Sequence, residues 1–506
     1  MKEKKQMNTF RKIISFVLVA ATLFGIAAVA GSAEEYDHLP QIYVQGFESK
    51  DVYYKDDPEK KPLLFPVDVD RLLGNAAKFT DYAKNSIEDL DPAIIYNYLY
   101  GVMWDTFGMT ALGTDGYTMN ELVTVDETQL NYDGDGEYTF KYDARLDPVD
   151  IAKELHEYVG WVQEHSGSRK YELIGSSYGS SVVIAYLNEY GWEDIDSVLI
   201  CVPSMEGINF VGELFSGSFH FDPDAVEAFA NSMIGDEDIQ LLISALNKSG
   251  ILDALLALCV EPALKVAITR ALKDVIHDIF ATHPAMWAFV EDKYFYDALE
   301  YIYGKNYNDD SHEYAVLIDK VTYYHENVMV RDREIIADAV ADGIKFNVIC
   351  KYNQAPFPFS REGNFMGDGF VSLKNASLGA TTCMNGETLP EGYTQARLTD
   401  YNFLSIDGCI DASTCALPFN TWFIKNMAHG EKPGTYYKLL NEIVYRDLDV
   451  FTDPDIPQFL QLNDDDSITP LEETEQEEEM SLFEMVITLL KKLFSIISDA
   501  IKSKLG

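Results

Sequence analysis

Apolar residues recur along this chain in two periods, and the places where the period changes outline a fold. Leu39 to Gly46 reads as a strand closed by a glycine turn, and Tyr138 to Tyr142 as a second short strand. Ile151, Leu155, Tyr158, Val159 and Val162 then fall on one face of a helix. Tyr171 to Ile174 is an apolar strand, Ser180 to Tyr190 a helix, and Ser197 to Val202 a buried strand. Strands and helices alternate through this region. That alternation predicts the α/β class, with a doubly wound, mostly parallel sheet and helices on its faces.

The alternation then stops. Glu206 to Asp342 is helical in pattern, rich in leucine and alanine at Ile251, Leu255, Leu258 and Leu264 to Leu272, and closed by Glu334 to Ala341. Strand character returns at Lys345 to Cys350. The expected organisation is a core in two parts, 34–205 and 345–448, with a helical cap inserted at 206–344. A separate helical domain is the alternative. Residues 449–480 read as an acidic linker, opening at Asp453 to Pro457 and carrying Asp464, Asp465, Asp466 and the glutamates from Glu472 to Glu479. Residues 481–506 read as an amphipathic helix, with Val486, Leu489, Leu490, Leu493, Ile497 and Ile501 on one face and Lys491, Lys492 and Lys502 flanking it. Such a segment suits a membrane interface or a protein partner, or packs back on the main domain.

The first 33 residues change the picture of where the chain resides. Lys2, Lys4, Lys5, Arg11 and Lys12 precede an apolar stretch from Ile13 to Ala30 and the small residues Gly31, Ser32 and Ala33. This is the pattern of an export signal, or of an uncleaved anchor, and puts the body in an extracellular location or on the outer face of the cell membrane. The net charge of -44 repels phosphate backbones and argues against nucleic acid as a partner. Six cysteines are too few for a disulfide scaffold. Cys409 and Cys415 are close enough in sequence to pair, with Cys383 as a rival partner, while Cys201, Cys259 and Cys350 sit in apolar runs as buried thiols. No cysteine and histidine spacing suggests a metal, and no cofactor is expected.

The chemistry centres on Gly175-Ser176-Ser177-Tyr178-Gly179, placed between a strand and a helix. Two glycines permit a sharp strand-to-helix turn that exposes the Ser177 hydroxyl, and the helix start offers free N–H groups to a developing negative charge. A serine hydroxyl needs a base. On sheets of this kind the order is serine, carboxylate, histidine. Of nine histidines, His38, His156 and His165 precede the serine, and His220, His277, His283, His312 and His325 fall in the helical stretch. His429 alone follows the last strand-like segments read from the sequence. The carboxylate should follow the strand near Cys350, where Gly367-Asp368-Gly369 forms a tight turn. Asp407 and Asp411 are rivals. The oxyanion donors expected are the N–H groups of Tyr178 and of Phe47, which follows Gly46.

With these pieces in order, the chain resembles the lecithin:cholesterol acyltransferase family of α/β-hydrolases. The resemblance rests on Ile42 to Phe47, on Tyr142-Asp143-Ala144-Arg145, on Leu146 to Ser177 with Tyr186-Leu187, on Val202 to Gly207, on His283 to Trp287, on Gly367 to Gly369 and on His429. It covers most of residues 39–435. Ala144 stands where tryptophan is usual, Ser176 where histidine is, Ser180 where glycine is, and Gln45 where proline is. The resemblance implies an α/β-hydrolase sheet with an inserted helical cap. It further implies a Ser177, Asp368, His429 triad with Phe47 and Tyr178 as the oxyanion hole, and a lipid or other acyl-ester substrate, with hydrolysis or acyl transfer as the reaction. A catalytically inactive surface-binding protein and a peptidase on the same fold are the other readings.

Overall fold

The computed structural model describes residues 38–64, 92–126, 131–132, 137–218, 222–233, 237–253, 262–358, 364–473, 481, 484–485 and 487–488. Strand β1 (Gln41–Val44) lies parallel between β5 (Glu137–Phe140) and β6 (Tyr171–Ser176). Beyond β6 come β7 (Ile195–Cys201), β8 (Lys345–Tyr352), β11 (Thr421–Lys425) and β12 (Phe459–Leu462), again parallel. Antiparallel strands β4 (Asn131–Tyr132) and β13 (Ile468–Pro470) close the two edges of this nine-stranded sheet. Two small antiparallel pairs stand outside it, β2 (Val52–Tyr54) with β3 (Val123–Val125) and β9 (Thr381–Thr382) with β10 (Ile410–Asp411). The chain is thus of the α/β class with a mostly parallel central sheet, as the alternation predicts.

Helices α1 (Pro92–Phe107), α2 (Pro148–Ser166) and α3 (Tyr178–Tyr190) precede β7. Between β7 and β8 lie α4 (Asn209–Phe215), α5 (Pro223–Met233), α6 (Glu237–Lys248), α7 (Pro262–Asp278), α8 (Pro284–Trp287), α9 (Asp292–Tyr303), α10 (Ala315–Asn327) and α11 (Asp332–Ala341). Helices α12 (Leu373–Ala376) and α13 (Gly434–Tyr445) follow β8. Local chemistry sets the limits of α2. Asp147 caps it by accepting from Val149 N, Pro148 occupies its first turn, and Gly167 ends it at φ 71°. Its buried face carries Ile151, Leu155, Tyr158, Val159 and Val162, the five positions read from the sequence.

Strands β6 and β7 are buried along nearly their whole length, which is why they read as continuous apolar runs rather than alternating ones. Helices α2 and α3 pack together, and α11 packs on α3 and β8. A Cβ on Gly175 would meet Val183 of α3, so Gly175 faces that layer. The next residue, Ser176, points to the other face. There Tyr43, Cys201 and Tyr436 of α13 meet. Helix α13 therefore covers the opposite side of the sheet from α3.

Two boundaries differ from those expected. Helix α1 lies in the stretch assigned to the core, yet it packs against α7 of the helical layer. Its Tyr96 and Tyr100 hydroxyls donate to Asp274 and Asp278, both at 2.7 Å. Helix α11, assigned to the cap, lies on the sheet instead, because a parallel crossover into β8 must return against the sheet. The acidic linker also needs correction. Residues 459–462 and 468–470 are strands β12 and β13, and Asp464 to Asp466 form the turn of that hairpin. Acidic residues there mark a solvated turn, not a loose tether. Residues 474–480 and the export-signal stretch lie outside the described residues. Most of 481–506 does too, but Met485 packs against Leu241 and Ala245 of α6. No helix among the described residues is long and apolar enough to cross a membrane. Cys201 and Cys350 are buried thiols, as expected, and Cys259 lies outside the described residues.

A buried polar node fastens the helical layer to the sheet. Arg145 is fully buried and makes two bonds to Asp143, at 2.9 and 2.6 Å, and one to Thr110 O at 3.0 Å. His283 Nε2 donates to the same carbonyl at 2.7 Å, and Ala285 N donates to Arg145 O. Burial, with the Arg145 charge second, pushes the His283 imidazole down to about 3 from its ordinary 6.5. Between those values the unfolded chain binds a proton that the folded chain refuses. Stability on this account is full above pH 6.5 and falls on acidification, by up to about 1.4 kcal/mol per pH unit. The His283→Gln variant should lack this contribution. Denaturant midpoints at about pH 7 and about pH 4.5 should therefore separate less for the variant than for the parent.

Candidate active site

Ser177 ends β6 and begins α3 in a single residue, at φ 53° and ψ -121°. That backbone conformation is strained for a residue with a side chain, by roughly 1–3 kcal/mol. The surroundings hold it there. Ser177 N donates to Cys201 O at 2.9 Å, and the Ser180 hydroxyl donates to Ser177 O at 2.6 Å. Ser204 N in turn donates to Ser180 Oγ at 3.2 Å, tying the exit of β7 to the same turn. The glycines are needed for space. A Cβ on Gly179 would lie 2.3 Å from Val44 O and 2.5 Å from Gln45 O, and one on Gly175 would lie 2.9 Å from Gly179 O.

Three residues far apart in sequence meet at this turn. Ser177 Oγ and His429 Nε2 are 2.8 Å apart, and His429 Nδ1 is 2.7 Å from Asp368 Oδ2. With Nδ1 carrying its proton to the carboxylate, Nε2 is left to accept from the serine hydroxyl. Asp368 is itself fixed. Its Oδ1 accepts from Phe370 N at 3.0 Å and Val371 N at 2.8 Å, and its carbonyl accepts from His429 N at 3.0 Å. Asp368 and His429 are buried while Ser177 keeps partial access to solvent. All three follow the carboxyl ends of parallel strands, β6, β8 and β11, where open α/β sheets gather their sites.

The two residues expected to hold an oxyanion lie beside the serine. Tyr178 opens α3, whose leading N–H groups have no intrahelical acceptor. Phe47 follows Gly46, and a Cβ on Gly46 would come within 3.1 Å of Ser177 Cβ, so this loop lies against the serine. The Phe47 ring packs on Tyr178 and on Phe289.

The rival carboxylates are engaged elsewhere. Asp407 accepts from Ser405, Tyr352 and Lys425, and Asp411 from Ser413 N, Tyr393 and Ala396 N. The other described histidines make separate contacts. His38 stacks on Tyr445 and His156 on Tyr190, His165 lies on Trp161, His277 pairs with Asp278, His312 reaches Tyr303 O, and His325 pairs with Asp292. His220 lies outside the described residues. No group of three or more metal-ligating side chains occurs among the described residues.

Three charged residues at the site were not anticipated. Lys351, buried in β8, donates through Nζ to Ala428 O, His429 O and Glu431 O, at 3.3, 3.1 and 2.5 Å. It thereby grips the loop that carries the histidine, with its ammonium over the Tyr436 ring. Burial, then the charge of Lys432, pushes its pKa down to about 7. A lone charge inside the apolar run Val348 to Tyr352 was the signal available. Glu48 and Lys432 form the second feature, an ion pair at 2.6 Å joining the Phe47 loop to the His429 loop. Burial raises the Glu48 pKa, but the Lys432 charge and hydrogen bond outweigh it and hold the carboxyl below its ordinary value. Nothing in the sequence pattern marks this pair.

No protein-family model matches the chain, and no curated protein matches it. Among solved structures, the chain is similar to one in the crystal structure of the Tle4-Tli4 complex, at 15% identity and a TM-score of 0.19. The similarity covers 36% of this chain and 48%, about half, of that one, and a score so low supports no inference.

Replacing Lys351 by methionine should remove the donor shared by three carbonyls. The expected loss is about 1–3 kcal/mol of stability, read as a lower urea midpoint at unchanged slope. A midpoint equal to the parent's would show that the loop does not depend on this lysine.

Proposed function

We propose that this chain is an exported serine carboxylic-ester hydrolase, lipase- or phospholipase-like, or an O-acyltransferase, on an α/β-hydrolase fold of the lecithin:cholesterol acyltransferase kind. The observation that carries the reading is the unbroken hydrogen-bonded series from Ser177 through His429 to Asp368, held at a strained strand-to-helix turn. In the proposed reaction, Ser177 Oγ attacks the ester carbonyl and His429 Nε2 takes its proton. Asp368 accepts from Nδ1 and stabilises the imidazolium that forms. The N–H groups of Phe47 and Tyr178 receive the oxyanion. His429 returns the proton to the leaving alcohol. Water or an acceptor alcohol, deprotonated by His429, then attacks the acyl carbon and displaces Ser177 Oγ, to which His429 returns the proton. These groups complete acyl transfer without a cofactor.

An acyl substrate suits the surroundings of the base. The Phe370 ring centre lies 5.6 Å from that of His429, and Phe370 adjoins Phe357 and Phe210. Phe229 of α5 extends the row from Phe357 into the helical layer. An apolar wall beside the reacting atoms favours an acyl chain over a charged peptide.

Labelling of the purified protein by a fluorophosphonate tests the reading. The parent should be labelled, while Ser177→Ala and His429→Ala should not. Asp368→Asn should still fold but turn over an activated ester roughly 10⁴-fold more slowly. Folded parent protein that takes no label would refute an activated serine. A panel of glycerolipid and phospholipid esters beside peptides should then show ester cleavage or transfer. Peptide cleavage alone would point to the peptidase reading.

A further inference from the structure

We propose that Cys383 and Cys409 are a redox-responsive pair that closes into a disulfide beside the antiparallel β9–β10 pair. The inference rests on strand register and does not depend on the enzymatic reading. Thr381 pairs with Asp411 and Thr382 with Ile410. One further step along the antiparallel ladder sets Cys383 opposite Cys409, and Cys383 N donates to Cys409 O at 3.2 Å. Directly opposed residues of such a ladder have Cα atoms about 4.5–5.5 Å apart, inside the range that a disulfide spans. Both sulfurs already converge. Cys383 Sγ lies 2.9 Å and Cys409 Sγ 3.4 Å from one acceptor, the carbonyl oxygen of Glu387.

Of the two pairings the sequence leaves open for Cys409, with Cys415 or with Cys383, the geometry favours the second. Cys415 is fully buried, bonds to Ser377 and neighbours Cys350, so its thiol is engaged away from Cys409. Nearness in sequence favours Cys415, but the antiparallel pairing of β9 with β10 brings Cys383 to Cys409.

The two thiols differ in a way that suits stepwise oxidation. Cys383 is half-buried and Cys409 buried. The hydrogen bond from Cys409 holds the Cys383 thiol below its ordinary pKa and pushes that of Cys409 up. Cys383, as thiolate, attacks a low-molecular-weight disulfide such as oxidised glutathione and expels one thiolate, leaving a mixed disulfide. Cys409 then loses its proton to solvent, attacks the Cys383 sulfur and expels the second thiolate. The protein is oxidised by two electrons, and one small disulfide becomes two small thiols.

The closed loop braces the platform under the candidate site. Asp407, two residues before Cys409, accepts from the Tyr352 hydroxyl at 2.9 Å and pairs with Lys425 at 3.0 Å. Tyr352 and Lys425 are the last residues of β8 and β11, the strands whose exits carry Asp368 and His429.

The full chain should be held in reduced or oxidised glutathione, alkylated, digested and examined by mass spectrometry. After oxidation the peptides containing Cys383 and Cys409 should be joined by loss of two hydrogens. After reduction both should carry the alkyl group. The thermal midpoint should rise by a few degrees on oxidation in the parent and in Cys415→Ser, and should not rise in Cys383→Ser or Cys409→Ser. A Cys409–Cys415 link would overturn the proposal. So would full alkylation of both thiols after oxidation, glutathione retained on Cys383, or a Cys383–Cys409 link that leaves the midpoint unmoved.

Discussion

The close approach of the β6–α3 turn to the exit of β1 is the constraint on which the site depends. Helix α3 begins so near Val44 and Gln45 that residue 179 has no room for a side chain. The same proximity brings Gly46 against Ser177 and so sets the Phe47 loop over the serine. Once β1 and β6 are neighbours in the sheet, the serine's position, its strained backbone and the approach of the Phe47 loop follow together. Glycine at 175 and 179 is the sequence's adaptation to that crowding. Ser180, by donating to Ser177 O, ties the strained residue to the first turn of its own helix.

The histidine arm is held differently, by charge rather than by space. Its loop is gripped from within the sheet by Lys351 and from the Phe47 side by the Glu48–Lys432 pair. Asp368 fixes the ring, and two backbone N–H groups fix Asp368. Charges withdrawn from water in this way cost desolvation that offsets much of their pairing, yet losing one partner leaves the others unsatisfied. Their value here is in specifying one arrangement. Any slip of β8 against β11 would leave Lys351 without its carbonyls and Asp368 without its histidine, and an unpaired buried charge is far dearer than a displaced methyl group.

The sequence made the sheet legible because parallel strands buried on both faces leave continuous apolar runs, as in Leu173-Ile174 and Val198 to Ile200. The three residues now found together were legible for a related reason. A glycine-framed serine, a glycine-framed aspartate and a histidine after a strand each carry a local signature. What escaped lacks one. Helix α1 has few polar positions, and its partner α7 is far along the chain, so its place in the helical layer depends on Tyr96 and Tyr100 finding Asp274 and Asp278. The β12–β13 hairpin was masked by its own turn, since Asp464 to Asp466 look like a tether when the short flanking strands are read alone. The Glu48–Lys432 pair joins loops that are 384 residues apart, a distance over which no periodicity speaks.

Those separations bear on what the site reports. Ser177 and His429 are 252 residues apart, and His429 and Asp368 are 61 apart. The hydrogen-bonded series therefore exists only when β6, β8 and β11 are all in register and the whole helical insertion has been accommodated between β7 and β8. The Arg145 node ties that insertion back to the exit of β5, through Thr110 and His283. Disturbance of the helical layer at this node can reach the site by way of Leu146 and Tyr178, since the Tyr178 hydroxyl donates to Leu146 O, one residue from Arg145. Tyr178, whose N–H is proposed to receive the oxyanion, is thus anchored by its side chain to the segment that secures the helical insertion. Coupling of this kind follows from packing alone and requires no moving part.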